Sequence, residues 1–181
     1  MKKLFILITI FYFKITLQKF DFNKYSKKHD FKNPFEDNEK QILLTIGSIS
    51  NYKVIQIGSG TLGIMWGRPV LYAFFKPTKE IKDFFEENIY YSVSFFNKKY
   101  KNIFLENKIK ETFHPIEFNV GVSFEEAEES FLMQKTYSHI FDSKKIPTKI
   151  RKDYDEGKYG HLELPDTEYI GIIGDHFKKK N

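Results

Sequence analysis

The 181-residue chain has no cysteine. That absence removes disulfides, thiolate metal sites, iron–sulfur clusters and a cysteine nucleophile, and it leaves the compartment open. Tryptophan occurs once, at Trp66, and proline six times. No Gly-x-Ser-x-Gly, His-Glu-x-x-His or phosphate-loop sequence is present, so hydrolase and nucleoside-triphosphatase chemistries have no anchor. The five histidines, at 29, 114, 139, 161 and 176, lack metal-ligand spacing, and no metal site is read from them. Charge of one sign is scarce too. Twenty-nine basic residues against 24 acidic leave a net +5, spread over short clusters such as Lys27-Lys28, Lys98-Lys99 and Lys144-Lys145. Without a nucleic-acid motif these read as solvated surface, so no nucleic-acid partner is expected; an excess of this size suits small anionic ligands. The run Glu125-Glu126-Ala127-Glu128-Glu129 is too dense for an acid–base pair and reads as a surface turn.

What the chain does have is aromatic mass. Phenylalanine (20) and tyrosine (11) bring aromatics to 18% of residues, ample material for one core. The N-terminus admits two readings. Met1-Lys2-Lys3 followed by Leu4 to Phe13 has the charged and apolar parts of a secretory signal, yet Lys14 interrupts the run and no small-residue cleavage site follows. Residues 1–13 are therefore either a signal or anchor, the only membrane contact expected, or an aromatic strand or helix. A polar tether follows, giving a segment 1–32, a domain 33–176 and a basic tail 177–181. The expected location is the cytoplasm, with the secretory or anchored alternative held open by residues 1–13.

Beyond the tether the pattern is mainly β. Strands are expected at 41–47, 53–57, 69–75, 90–96, 116–124, 130–139 and 169–174, from β-branched and aromatic runs bounded by turn residues. The 130–139 segment is a candidate partner for 116–124. Thr78 is a fit N-cap for a helix to Glu87, with Ile81, Phe84 and Phe85 at i, i+3, i+4 spacing and Asn88 at its end. A second helix is expected over 97–111, and 142–160 reads as loop. Strands without regular β-α alternation point to a small β-barrel with helical insertions.

Gly58-Ser59-Gly60-Thr61-Leu62-Gly63 follows an apolar run and matches the dinucleotide fingerprint Gly-x-Gly-x-x-Gly. That fingerprint requires a helix next. Here Pro69 cuts any helix short, and Val70 to Phe75 is another strand-like run. The glycines thus read as a connection within a β structure. Trp66 reads as a core aromatic beneath that loop.

In order along the chain, Ile57-Gly-Ser-Gly60-Thr-Leu-Gly63-Ile-Met-Trp66-Gly-Arg-Pro69-Val70, Lys76-Pro77-Thr78-Lys79, Tyr91-Ser92-Val93-Ser94-Phe95-Phe96 and Ser123-Phe124-Glu125-Glu126-Ala127 resemble motifs of the flavin reductase-like, flavoredoxin-type family. Asn33-Pro34-Phe35 is similar to the family's opening. The resemblance implies an FMN-binding split β-barrel, a homodimer, and an oxidoreductase that passes reducing equivalents from NAD(P)H through flavin. Catalysis would then be the cofactor's, with no catalytic side chain. The implied cofactor-binding residues are Gln56, Gly58, Ser59, Gly60, Thr61, Lys76 and Lys79. Glycines 58, 60 and 63 would form a backbone nest for phosphate, Ser59 and Thr61 would offer hydroxyls, and the helix beginning after Thr78 would add a partial positive charge. The chain departs from the family at Val54, Gln56 and Gly58, where the family has hydroxyl residues, and at Lys76 and Lys79, where it has arginines. A second reading follows: a non-catalytic split-barrel binding protein that has lost tight FMN binding.

Overall fold

A computed structural model describes residues 33–37, 39–158 and 162–179. The N-terminal segment 1–32, with its signal, anchor and tether readings, lies outside the described residues.

The described residues form nine strands: β1 (Gln41–Ser48), β2 (Asn51–Ile57), β3 (Ser59–Met65), β4 (Arg68–Phe75), β5 (Tyr90–Phe96), β6 (Pro115–Phe118), β7 (Gly121–Phe124), β8 (Glu129–Ile140) and β9 (Thr167–Lys178). Four helices interrupt them: α1 (Lys79–Glu87), α2 (Lys101–Leu105), α3 (Ile109–Thr112) and α4 (Thr148–Asp155). Seven strands make one antiparallel sheet in the order β2-β1-β5-β8-β9-β4-β3, and β6 and β7 make a separate hairpin. The two edge strands, β2 and β3, are neighbours in sequence with only Gly58 between them. A seven-stranded sheet whose opposite edges are one residue apart must curl until those edges meet. The barrel is thus closed at Gly58 by chain continuity and side chains, not by a ladder of hydrogen bonds.

Inside the curl, Leu44, Leu71, Val93, Phe95, Phe131 and Tyr169 belong to one buried cluster. Phe75, Phe85 and Tyr169 stack, with centroids 4.4–6.2 Å apart. Burial pushes the Tyr169 phenol up to about 12. A second cluster sits on the other face of β1 and β5, where Phe96 lies against Phe104 of α2 and stacks on Phe113 at 4.7 Å. Three buried serines hold the β6–β7 hairpin to the sheet. Ser123 of β7 lies 2.6 Å from Ser130 of β8, and Ser130 donates to Ser94 of β5 at 2.8 Å.

The α1 reading holds: Thr78 accepts from the Ile81 amide at 3.3 Å, and Phe84 and Phe85 are buried. Other readings need correction. The glycine segment is a strand, β3, paired residue by residue with β4. Trp66 is not in the core. It is 69% exposed and sits with Gly67 at the β3–β4 turn, both with positive φ, as tight hairpin turns demand. The helix expected over 97–111 is a 3-10 turn (Lys98–Tyr100) and two short helices separated by Asn107 at φ 54°. The segment 116–124 turns back on itself at Asn119 to give β6 and β7. Consequently 130–139 pairs with β5 and β9 rather than with 116–124. A helix, α4, occupies part of the expected loop 142–160. Finally, β9 runs to Lys178, so Phe177 and Lys178 belong to the sheet, not to a tail; Phe177 packs on Phe118.

Candidate functional site

The seam where β2 meets β3 leaves two adjoining cavities. The larger, about 630 Å³, is walled by residues 54–58 of β2 and the seam, 74–78 at the end of β4 and beyond it, Ile81 of α1, residues 105–107 and Ile109 of the α2–α3 corner, and Tyr154, Leu162, Glu163 and Pro165. The smaller, about 350 Å³, has Phe35, Gly58, Ser59, Gly60, Ile146, Ile150, Tyr154, Leu164 and Pro165 around it. Gly58, Tyr154 and Pro165 stand between the two. Both volumes lie in the range of small-molecule sites.

Each wall has a local cause. β2 stays paired with β1 as far as Ile57, so its last residues present their free edge to the seam. Pro77 cannot continue the β4 ladder, and Thr78 starts α1 instead. The crossover between β8 and β9 covers both cavities. Ile146, Ile150 and Tyr154 recur every four residues, so α4 and the turn before it show them on one side. That i, i+4, i+8 signal was present in the sequence, hidden in a lysine- and aspartate-rich stretch.

The expected site residues divide. Gln56, Gly58 and Lys76 come together around the larger cavity; Gly58, Ser59 and Gly60 come together around the smaller. Thr61 lines neither among the described residues. Its hydroxyl donates to the Leu62 carbonyl and accepts from Asn33 Nδ2, each at 3.3 Å. Lys79 opens α1 as an exposed residue and also lines neither. Residues 105–107, Tyr154 and residues 162–165 were missed by the sequence reading, since only the fold brings them to the seam.

The expected backbone nest does not form. Glycines 58, 60 and 63 have no positive φ, whereas nests alternate right- and left-handed backbone. The room these glycines leave is taken by side chains. A Cβ on Gly60 would stand 2.3 Å from the Phe35 ring and 2.6 Å from the Tyr72 carbonyl oxygen. A Cβ on Gly58 would meet Leu162 at 2.6 Å. The glycines serve close packing in a strand.

The charge of the larger cavity is mixed. Among its described lining residues Lys76 is the one cation, and Glu106 and Glu163 are carboxylates. Lys76 Nζ lies 2.7 Å from Glu163 Oε2. The hydrogen bond and charge of Glu163, with a smaller contribution from Asp166, hold the Lys76 ammonium above the usual lysine range. Glu80, in the first turn of α1, pairs with Lys53, whose hydrogen bond and charge lower its carboxyl. In the wall, Gln56 Oε1 is buried without a hydrogen-bond partner among the described residues. A buried acceptor of this kind calls for a donor.

These features test the flavin that the resemblance implies. The walls fit its flat ring and sugar-alcohol chain: apolar Ile55, Ile57, Phe74, Pro77 and Leu105, and amides at Gln56 and Asn107. They do not fit its phosphate, which meets no nest, engaged hydroxyls and a lysine already bound by a carboxylate.

No family model and no curated protein matches the sequence. Solved structures do match in shape. A flavoredoxin from Methanosarcina acetivorans superposes with TM-score 0.55 at 11% identity, over 85% of this chain and 76% of that one. An FMN-binding protein from Thermus thermophilus, with bound p-hydroxybenzaldehyde, gives 0.56 at 10% identity over 85% and 81%. The styrene monooxygenase flavin reductase of Pseudomonas putida S12 gives 0.52 at 10% identity over 76% and 79%. The chain therefore has the mainly β split-barrel fold of flavin reductases and FMN-binding proteins, built on the seven-stranded sheet that closes at Gly58.

Proposed function

We propose that the protein binds a flavin in the larger cavity and acts as a flavin-dependent oxidoreductase fed by NAD(P)H. The observation that carries this reading is the Gln56 acceptor, buried without a partner among the described residues in the wall of a cavity of about 630 Å³ whose apolar lining includes Ile55, Ile57, Phe74 and Leu105. A flavin ring has an apolar body and an imide edge bearing an N–H donor, and the Gln56 amide complements that edge. When bound, the flavin supplies the hydride chemistry. The chain's own part is to orient the ring against Ile55 and Phe74, to exclude water with Leu162 and Pro165, and to hold the polar end with Lys76. The test is a titration of purified protein with FMN and riboflavin, followed by flavin fluorescence, and then by NAD(P)H oxidation. Quenching saturable below about 100 µM is the expected result. Unquenched flavin would sink the proposal.

We further propose that the chain works as a homodimer in the cytoplasm. Ile64 and Trp66 at the β3–β4 turn, and Tyr137 and Ile140 on β8, are 50–73% exposed. β5 pairs with β8 only as far as Gln134, so beyond it β8 has β9 on one side alone. A second copy covers such apolar surface economically. Light scattering is expected to give twice the chain mass, and Trp66→Glu to shift it toward the monomer. Among the described residues no helix is long and apolar enough to cross a membrane.

One observation favours the second reading, a binding barrel without catalysis: Phe35 fills the room beside Gly60. Saturable flavin quenching with no NAD(P)H oxidation above background would select it.

A further inference from the structure

We propose that Glu163 sets the ligand preference of the larger cavity, making it a site for the uncharged, riboflavin-like part of a flavin rather than for a phosphorylated one. The inference rests on the flavin reading above and goes beyond it, because it runs against what the fold's FMN-binding neighbours imply. Lys76 is the one cation among the described lining residues, and Glu163 Oε2 holds it at 2.7 Å. Glu106 adds a second carboxylate on the same wall, with its own lysine partner, Lys108 at 2.5 Å, outside the lining. Lys76, Glu106 and Glu163 together leave the lining with one negative charge in excess. A phosphate dianion entering there must take Lys76 from Glu163 and then lie beside that carboxylate. Like charges a few ångströms apart repel unless a cation intervenes. Among the described lining residues no second cation is at hand, and Lys108, outside the lining, is taken up by Glu106. The α1 start already carries Glu80, and the seam glycines present no nest. A ribityl hydroxyl meets no such opposition, since hydroxyls both donate to carboxylates and accept from lysine.

Glu163 lies in the β8–β9 crossover, not in the barrel, and both members of the pair are at least half exposed. Its replacement therefore leaves the core untouched. It acts on the ligand through charge, so its effect depends on salt.

Fluorescence titrations of wild type, Glu163→Gln and Lys76→Gln with riboflavin and with FMN, at low and at high salt, test the proposal. Wild type is expected to bind riboflavin at least as tightly as FMN. Glu163→Gln is expected to tighten FMN about three- to tenfold relative to riboflavin, the gain shrinking at ~0.5 M salt. Lys76→Gln, which leaves Glu163 alone at the site, is expected to weaken FMN about threefold more than it weakens riboflavin. A wild-type preference for FMN overturns the proposal, as does a Glu163→Gln variant that moves both flavins equally or neither. Failure of wild type to bind either flavin overturns the flavin reading together with this one. An FMN preference overturns this one alone.

Discussion

The centre of the sheet and the seam between β2 and β3 are held by different forces. In the centre, β1, β5, β8 and β9 pair along ladders of six or more residues, over side chains that water does not reach. At the seam there is no ladder. Gly58 joins two edges, and Phe35, Leu162, Leu164 and Tyr154 fill the gap. The difference is useful. Backbone hydrogen bonds want uniform spacing, so a ladder leaves no room for a ligand. A seam closed by side chains can enclose cavities on either side of its single covalent link.

Four substitutions break or sharpen that contrast. Phe85→Ala removes a ring stacked on Tyr169 at 4.4 Å and fully buried. It is expected to cost about 3–5 kcal/mol in urea unfolding. At the seam, Gly60→Ala puts a methyl group against Phe35 and the Tyr72 carbonyl. The strand backbone there is ordinary, so the cost is overpacking alone, about 1–3 kcal/mol, and the smaller cavity is expected to open as Phe35 moves. A seam variant as costly as Phe85→Ala would remove the contrast.

The end of the central ladder carries a buried charge. Glu129 is 3% exposed, 2.8 Å from His176 Nε2 and 3.4 Å from Lys178 Nζ. Lys40, Glu36 and Asp37 share the cavity beside it. Burial alone would raise its carboxyl; the hydrogen bond from His176 and the charge of Lys178 outweigh that and lower it. A carboxyl lowered in the folded state stabilises above its unfolded value, about 4.5, and loses that contribution as pH falls through the folded value. Wild type is therefore expected to lose more stability than Glu129→Gln as pH falls from 6 to 3. Equal losses in both proteins would refute this.

The last prediction has the opposite sign. The Tyr91 hydroxyl is buried with no hydrogen-bond partner among the described residues, and burial pushes its phenol far up. Its oxygen also sits where a Cβ on Gly171 would stand, 2.6 Å away. Tyr91→Phe is expected to stabilise the centre by about 1 kcal/mol, because a buried donor without a partner is removed. A loss of stability on thermal unfolding would refute this.

Legibility follows the same division. α1 was readable because its signals are local: Thr78 caps it, Ile81, Phe84 and Phe85 space it, and Asn88 ends it. β5 was readable because aromatic and β-branched residues suit a pleated, buried strand. β3 was not, because its glycines carry the mark of a loop and only Phe35 and Tyr72, packed into their vacant Cβ positions, make a strand of them. Trp66 was misjudged by size, since the turn it occupies points outward. α4 was missed because its polar residues mask two apolar ones, Ile150 and Tyr154, that matter only against the seam. Of the residues expected to bind a cofactor, Gln56, Gly58 and Lys76, named by order along the chain, line the larger cavity. The carboxylate on Lys76 was not foreseen, because Glu163 lies 87 positions away.

The sequence by itself determined that the chain is mainly β, that no cysteine chemistry operates, and that the glycine fingerprint does not open a dinucleotide helix. Those conclusions rest on composition and on neighbours a few residues apart, where propensity and sterics act. Only the tertiary structure decided that β2 and β3 are opposite edges of one curled sheet. It alone turned the glycine nest into packing space and set Glu163 on Lys76. Charge balance and cavity shape arise between segments distant in sequence, and their contact depends on how the sheet closes.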